Sequence, residues 1–256
     1  MDSIGPTAGR FCVLHDSDTD MGTLMLRRRW SPALERDVFE MTLDGKLMMS
    51  SAVNISEQAL AERALVSLPE KPLRVLIGGL GFGFTALAAL ADSRVQDLTV
   101  MERLAPVIQW HRSGLLPWSD ALTSDPRLQI VEGDFFAAMA PGAKPGARYD
   151  AILIDIDDSP ALLWHNRHSV FYEARGLEAL HCQLQPAGVL ALWCATHPGQ
   201  TFMRAVHAVF ATASLVEVPF ENPCVRQSVT DYIVLATARE SPGPAYTRRG
   251  PKLRFS

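Results

Sequence analysis

The sequence predicts an α/β fold in which a mostly parallel sheet is covered by helices on both faces and is preceded by a small β region. First, the run LRVLI at 73–77 lacks the alternation of a half-exposed strand and stops in glycines, which indicates a strand buried on both faces. Second, strands and helices alternate after it at the spacing of parallel units. Third, two consecutive strands near the end predict an antiparallel hairpin that completes the sheet.

Residues 1–53 are expected to form a small N-terminal β-hairpin domain. Residues 1 to about 20 are polar and turn-rich, and HDSDTD is interpreted as a solvated loop, since a calcium loop needs more ligands and a closing glutamate. MGTLMLRRRW is a candidate strand, and DVFEMTLDGKLMMSS is expected to form a hairpin about Asp44-Gly45. This hairpin has one apolar face that needs a cover from another layer or from a partner subunit. The face comprises Phe39, Met41, Leu43 and Met48.

Residues 54–240 carry the alternating elements. A helix capped by Asn54 or Ser56 continues through EQALAERALVSL and ends at Pro69 and Pro72. The strand at 73–77 then turns through glycines into an Ala-rich helix. The later strands are DLTVME, LQIVEGD, YDAILIDIDDSP, GVLALWCA, SLVEVPF and DYIVLATAR, and the later helices are LAPVIQWHRSGLL, SVFYEARGLEALHCQL and TFMRAVHAVFA. The Pro/Gly-rich basic tail at 241–256 is interpreted as disordered.

Composition and charge exclude several classes of protein. The net charge of −4 gives no general attraction to phosphate backbones, so no nucleic-acid partner is expected. The four cysteines are too dispersed for a compact zinc site and too few for a disulfide scaffold. No apolar run approaches a membrane span, and the first residues lack a leader pattern, so we expect a cytoplasmic protein without membrane contact. His165 and His168 have no evident third ligand, so no metal is expected.

Four of the predicted strands end in glycines or acids, and ligands bind beyond the carboxyl ends of such strands. The glycines at 78–83 can hold an anion or let a nucleotide's sugar approach the backbone. Glu102 follows Gly83 by 19 residues, near the spacing at which an acid accepts hydrogen bonds from ribose hydroxyls. Asp134 lies where a carboxylate can accept from an adenine amine. Any one acid could instead cap a helix or turn, but together they favour an adenosine that bears no phosphate.

Five segments, LDGKLMMSS, GGLGFG, MER, EGDFF and YDAILIDIDDSP, resemble in order and spacing the spermidine synthase-like branch of S-adenosylmethionine-dependent transferases. The resemblance covers roughly residues 35–240. It implies a Rossmann-like methyltransferase sheet of seven strands, mostly parallel with an antiparallel last hairpin, and a small N-terminal β domain that helps to form a homodimer. The cofactor implied is S-adenosylmethionine or its decarboxylated form.

The resemblance also implies which residues bind the cofactor. Glu102 would hold its ribose, Asp134 would contact adenine, and Asp155 is a further cofactor-binding candidate. Three glycines would line its methionine part, namely Gly78, Gly79 and Gly81.

A small-molecule acceptor is implied beside the cofactor. Asp155 and Asp158 match the two family aspartates. In aminopropyl-transferring members the first is the base that deprotonates the attacking amine, and the second helps to bind the polyamine. Trp164 and Tyr172 are further acceptor-binding candidates. They belong to an aromatic segment that can either form a lid or, for its last two members, pack as a helix. The segment contains Trp164, His165, His168, Phe171 and Tyr172.

Two departures from the family pattern bear on the reaction. Gly81 stands where aminopropyltransferases place an aspartate that engages the free amine of the decarboxylated cofactor, and Leu60 stands where they place a polyamine-contacting tyrosine. A carboxylate at position 81 would repel the carboxylate of S-adenosylmethionine, so its absence favours that cofactor. The leading hypothesis is therefore methyl transfer to a small amine- or nitrogen-containing acceptor. The alternatives are polyamine aminopropyl transfer and a catalytically silent nucleoside-binding or scaffold protein.

Overall fold

The structure, a computed structural model, describes residues 11–142, 148–223 and 226–240. Its first part is an antiparallel sheet of four strands in the order β1-β2-β3-β4. These strands are β1 (Phe11–Thr19), β2 (Gly22–Ser31), β3 (Arg36–Leu43) and β4 (Lys46–Ser50). The predicted tail at 241–256 and Cys224 lie outside the described residues.

The second part is a sheet of seven strands with helices on both faces, which confirms the expected fold class. Strands and helices follow in the order α1 (Ile55–Val66), β5 (Leu73–Gly78), α2 (Phe84–Ala91), β6 (Val95–Glu102), α3 (Ala105–Arg112), α4 (Ser119–Thr123), β7 (Leu128–Glu132), α5 (Phe135–Ala138), β8 (Tyr149–Ile154), α6 (Ala174–Gln183), β9 (Leu184–Cys194), α7 (Gln200–Val209), β10 (Thr212–Asn222) and β11 (Gln227–Thr237).

The order of the seven strands places a crevice at the end of β5. The order is β10-β11-β9-β8-β5-β6-β7, and β5 pairs in parallel with β6 on one side and with β8 on the other. Because the chain runs outward from β5 in both directions, the connections that leave β5 and β8 diverge and leave a gap at the carboxyl ends of the strands. The last hairpin is antiparallel, since β11 pairs antiparallel with both β9 and β10.

The β5 strand is buried on both faces, as its unbroken apolar pattern predicts. Val75 and Ile77 belong to a core cluster that also contains residues of α1 and α2, whereas Leu76 belongs to the opposite cluster with residues of α6 and α7. All three side chains are inaccessible to solvent. This burial fixes the strand, and the glycines at its end are therefore held in one place.

The expectation of a solvated loop at HDSDTD is wrong. Phe11–Thr19 is a strand that pairs antiparallel with β2, from Phe11 opposite Arg29 to Thr19 opposite Gly22. The strand lies at the edge of the sheet and is half-exposed, so polar side chains are tolerated along it. Its cross-strand pairing stabilises an extended segment whose own residues favour turns.

The hairpin about Asp44-Gly45 is present, with φ of +47° and +77° at the two turn residues. A register shift between Met41 and Thr42 leaves Met48 without a cross-strand partner and sets Met49 opposite Met41. Met49, rather than Met48, is therefore the β4 residue that lies opposite Met41 of the predicted apolar face.

The apolar face of this hairpin is covered by the chain itself. Phe39, Met41 and Leu43 are buried in the cluster that includes α1 and α2, and the Phe39 ring lies edge-on to Trp118 at 5.6 Å. The reason for expecting a partner subunit on this face is thus removed, and the homodimer remains a prediction.

Several other boundaries differ from expectation. The helix predicted from Ser169 begins at Ala174, and a 3-10 helix, Asn166–Tyr172, precedes it. The strand β10 ends at Asn222 and the strand β11 begins at Gln227, so the loop between them is shorter than predicted. The division at 53 and 54 remains a prediction. No helix in the described part of the chain is long and apolar enough to cross a membrane.

Candidate functional site

A cavity of about 370 Å³ lies between the two sheets, at the carboxyl ends of β5, β6 and β8. Its walls come from β3, β4 and the first turn of α1 on one side and from the strand ends on the other. Among the site candidates that the sequence indicates, those that line it are Gly79, Gly81, Glu102, Asp134, Asp155, Asp158, Trp164 and His168. Both sheets therefore contribute to the site.

The glycine turn after β5 has no room for side chains. Gly79 has φ of +92°, and a Cβ there would lie 2.1 Å from the carbonyl oxygen of Asp155. Gly81 has φ of +48°, and a Cβ there would lie 2.9 Å from Sδ of Met49. Gly78 does not line the cavity, because it lies beneath the Phe135 ring, 2.7 Å from where its Cβ would be. Gly78 thus serves packing, whereas Gly79 and Gly81 form the cavity wall.

Glu102 fixes the glycine turn from the neighbouring strand. Its carboxylate accepts hydrogen bonds from the backbone N–H of Leu80 at 2.9 Å and of Leu104 at 2.7 Å. Burial raises the pKa of Glu102, and these backbone donors act in the opposite direction. The carboxylate faces the cavity from this rigid position, and its ribose contact remains a prediction.

Asp134 is a helix cap as well as a cavity residue. Its side chain accepts from the backbone N–H of Ala137 at 3.1 Å, as the capping alternative predicts. It also pairs with Arg103 at 3.4 Å, and the same guanidinium pairs with Asp20 in the turn between β1 and β2. The adenine contact of Asp134 remains a prediction, and it would compete with this arginine.

The three aspartates after β8 have different surroundings. Asp155 lies against the glycine turn: its N–H donates to the Gly78 carbonyl at 2.9 Å, and its carboxylate accepts from the Thr85 hydroxyl at 2.7 Å. Burial raises the pKa of Asp155 to about 6, although the Thr85 hydrogen bond lowers it. Asp158 lies further out and pairs with Lys46 at 3.0 Å.

Asp157, which the sequence motifs did not single out, anchors the loop after β8. This buried carboxylate accepts hydrogen bonds from the Trp164 backbone N–H at 2.8 Å and from the Tyr172 hydroxyl at 2.9 Å. It also lies 2.9 Å from His168 Nδ1. Tyr172 does not line the cavity, because its hydroxyl is directed to Asp157 in the interior. The acceptor-binding role expected for Tyr172 has no support from this geometry, and packing is its observed role.

Two further buried acids, Glu57 and Asp231, share the cavity with Asp155. We call Glu57, Asp155 and Asp231 the inner acid cluster. Burial, followed by the nearby Asp155, raises the pKa of Glu57 to about 8, and burial also raises the pKa of Asp231. The sequence does not indicate that these two acids belong to a site, since Glu57 resembles an ordinary acid in a helix's first turn and Asp231 lies within a strand.

No ion pair in the described part of the chain involves any member of the inner acid cluster. Hydroxyl groups are the neighbours instead, for Ser56 donates to Glu57 at 3.1 Å and Thr85 donates to Asp155. Within the described residues, no group of three or more His, Cys, Asp or Glu is arranged to hold a metal ion. Within the described residues, the hydrogen-bonding neighbours of Glu57 and Asp155 are thus hydroxyl groups rather than cations.

Comparison with solved structures shows that this is the spermidine synthase fold. A spermidine synthase in complex with the transition-state analogue AdoDATO matches 95% of this chain and 81% of its own, with a TM-score of 0.70 and 21% identity. The spermidine synthase from Thermotoga maritima matches 95% of this chain and 80% of its own, with a TM-score of 0.67 and 20% identity. No protein-family model matches the chain.

Curated relatives point to the same branch. Polyamine aminopropyltransferase 1 of Hyperthermus butylicus is 30% identical over 119 residues, which are 46% of this chain and 40% of the relative. Putrescine N-methyltransferase 3 of Nicotiana tabacum is 30% identical over 165 residues, covering 61% of this chain and 40% of the relative. The matched region thus spans well under half of these relatives' length. The resemblance to the spermidine synthase-like branch, expected from the ordered motifs, is confirmed.

Proposed function

We propose that this chain is a transferase that moves an alkyl group from an S-adenosylmethionine-type donor to an amine. The observation that carries the proposal is the inner acid cluster, which faces the same cavity as the glycine turn. Buried carboxyl groups are costly to ionise without a cationic partner. An ammonium group entering the cavity supplies that partner, and binding should lower the pKa values of Glu57 and Asp231.

Asp155 is the proposed base. An ammonium has no lone pair, so its proton must leave before the nitrogen attacks the carbon next to the sulfonium. The new N–C bond forms as the C–S bond breaks, the bonding pair stays on sulfur, and the proton passes to Asp155. With a pKa of about 6, Asp155 is mainly ionised at neutral pH and can accept it. Because carboxylates also stabilise the ammonium, positioning against the donor must supply much of the rate.

Methyl transfer from S-adenosylmethionine is the leading reaction. It is supported by Gly81, which puts no carboxylate where the donor's amino-acid end is expected, and by the putrescine N-methyltransferase relatives. Aminopropyl transfer from decarboxylated S-adenosylmethionine is the second candidate. It is supported by the fold of the spermidine synthases and by the aminopropyltransferase relatives. In either case we propose that Glu102 holds the ribose, Asp134 contacts the adenine, and Gly79 and Gly81 line the methionine part.

Titration of the purified chain with the two donors tests the proposal and separates the two reactions. A donor at about a hundred times its dissociation constant adds roughly 2.7 kcal/mol to the free energy of unfolding, which is measured as a rise in melting temperature. We expect S-adenosylmethionine to bind more tightly than its decarboxylated form. Tighter binding of decarboxylated S-adenosylmethionine would exclude the methyl-transfer hypothesis and favour aminopropyl transfer.

Product analysis decides between an enzyme and a silent nucleoside-binding protein. The chain is incubated with the preferred donor and with putrescine, and the amine products are identified by mass spectrometry. A methylated or aminopropylated amine supports the proposal. Tight donor binding without any alkylated product from a panel of mono- and diamines supports the silent alternative.

A further inference from the structure

Lys46 is held at the rim of the cavity by two residues that line it. Its Nζ lies 3.0 Å from a carboxylate oxygen of Asp158 and 3.9 Å from the centre of the Trp164 ring. Lys46 comes directly after the Asp44-Gly45 turn, so the contact joins the N-terminal sheet to the loop after β8. We call Asp158 and Trp164 the outer ammonium site, because an ammonium group occupies it in this structure.

The outer ammonium site has the chemistry that alkylammonium ions prefer. The face of an indole ring attracts a cation through its quadrupole, and the carboxylate adds a charge-assisted hydrogen bond. Asp158 and Trp164 line the same cavity as the inner acid cluster. The cavity therefore has two sets of acids on its wall. The inner acid cluster is buried and forms no ion pair in the described residues, whereas Asp158 is more exposed and is paired with Lys46.

We propose that Lys46 is a displaceable occupant of the outer ammonium site and thereby determines how well acceptors with two ammonium groups bind. This inference rests on the proposed amine acceptor. A diamine places one ammonium at the inner acid cluster and the other at the outer site, from which Lys46 must withdraw. A monoamine uses only the inner cluster and leaves Lys46 in place.

The contacts of Lys46 are weak enough to be exchanged. Its side chain is 62% exposed and that of Asp158 is 25% exposed, so water screens the ion pair. Such a pair and an exposed cation–π contact each change a binding constant by no more than roughly fivefold. Competition from Lys46 should therefore weaken diamine binding by about three- to tenfold, without preventing it.

The test compares diamine and monoamine binding to the full chain by calorimetry, with methylthioadenosine present to fill the donor position. The probes are 1,4-diaminobutane and butylamine, and the variant is Lys46→Gln. Arg28→Gln is the matched control, because it removes one positive charge from a surface ion pair of the same sheet, with Asp37 at 3.6 Å, that lies away from the cavity.

We expect Lys46→Gln to tighten 1,4-diaminobutane binding about three- to tenfold and to leave butylamine binding unchanged, while Arg28→Gln changes neither. Unchanged or weakened diamine binding in Lys46→Gln would overturn the inference. So would a clear tightening of butylamine binding, because removal of a general positive charge favours the monocation as well as, to a greater extent, the dication. Absence of amine binding in every variant would remove the proposed amine acceptor itself, which distinguishes that failure from the failure of the Lys46 inference.

Discussion

At the scale of single residues, Asp155 is the sharpest test of the chemistry. We expect Asp155→Asn to reduce turnover at least a hundredfold, because the asparagine keeps the size of the side chain but cannot accept the amine's proton. Donor affinity should change little. Single-turnover rates and donor titrations of the variant and the parent measure the two effects separately, and unchanged turnover would exclude Asp155 as the base.

The pH dependence of the parent enzyme gives an independent check of the same residue. With a pKa of about 6, Asp155 becomes protonated as the pH falls through that value and can no longer accept a proton. The rate should therefore fall on the acid side near pH 6, rather than near the ordinary value of 3.8 for an aspartic acid. Donor-saturated rates measured across this range locate the acid limb, and a limb near the ordinary value would contradict the burial of Asp155.

Glu57 should make the free energy of unfolding depend on pH. Its pKa rises from the ordinary 4.5 to about 8 on folding, so between these values the folded chain keeps a proton that the unfolded chain has released. Stability then falls as pH rises, by at most about 1.4 kcal/mol per pH unit, and the loss is complete above pH 8. The neutral glutamine of Glu57→Gln cannot ionise, so it removes this contribution to the pH dependence of the free energy of unfolding.

The measurement is the melting temperature of Glu57→Gln minus that of the parent, followed from about pH 5 to about pH 9. We expect the difference to grow until about pH 8 and then to level off. Glu62→Gln is the control, because Glu62 lies on the same helix but is exposed. A difference that does not vary with pH would show that Glu57 ionises normally in the folded chain.

Sequence patterns identify acids only where local spacing makes them conspicuous. Glu102 ends its strand and Asp155 directly follows another, so the sequence alone places both at the sheet's carboxyl edge. Glu57 and Asp231 could not be placed in this way, because they are 174 positions apart and meet only through tertiary packing of α1 beside β11. The feature that best supports an amine acceptor was therefore invisible in the linear sequence.

At the scale of elements, the glycine turn and β4 act together. Met49 of β4 accepts a hydrogen bond through Sδ from the Phe82 N–H at 3.1 Å and lies over Gly81. The pattern of glycines predicted a tight turn, but not that a methionine from the other sheet would cover it. The β-bulge beside Met41 brings Met49 to this position, and a bulge of this kind has no clear signature in the sequence.

Gly81→Asp tests whether this turn sets the choice of donor. The new carboxylate should repel the carboxylate of S-adenosylmethionine and pair with the free amine of the decarboxylated form, shifting the ratio of their dissociation constants about tenfold or more. Aspartate tolerates the positive φ at this position better than most residues, and the flexible end of Met49 must move aside.

Gly81→Asn is the matched control for this change, since it has the same shape without the charge. We expect it to weaken both donors equally. Calorimetric titration of both variants with both donors measures the ratio. If Asn and Asp shift the ratio alike, steric contact with Met49 rather than charge governs the turn.

The strand β1 shows why a strand can be missed when only local residue preferences are considered. Its alternating aspartates favour turns when considered locally, yet the segment forms eight residue pairs with β2. Pairing with a neighbour that is already fixed outweighs local preference, and the half-exposed edge accommodates the charged side chains. By contrast, β5 was predictable, because full burial requires an apolar residue at almost every position.

At the scale of the whole molecule, the fold was predictable because ordered motifs and strand–helix alternation span most of the chain. The site was only partly predictable, because its walls come from two sheets. Connections between them include the Arg103–Asp20 and Lys46–Asp158 ion pairs and the contact of Phe39 with Trp118. A cavity between two sheets depends on how the sheets pack, and periodicity within each strand does not encode that relation.

Because one core cluster includes residues of both sheets, we expect the described parts of the chain to unfold in a single transition. Leu24 of β2 is completely buried in this cluster. Leu24→Ala should lower the free energy of unfolding by about 2–5 kcal/mol, while exposed Leu47→Ala in the same sheet should change it by no more than about 0.5 kcal/mol. Calorimetry and far-ultraviolet circular dichroism should give coincident melting curves for both variants. Two separate transitions, with only the smaller one shifted by Leu24→Ala, would mean that the N-terminal sheet folds independently, and the cavity would then open without unfolding of the main sheet.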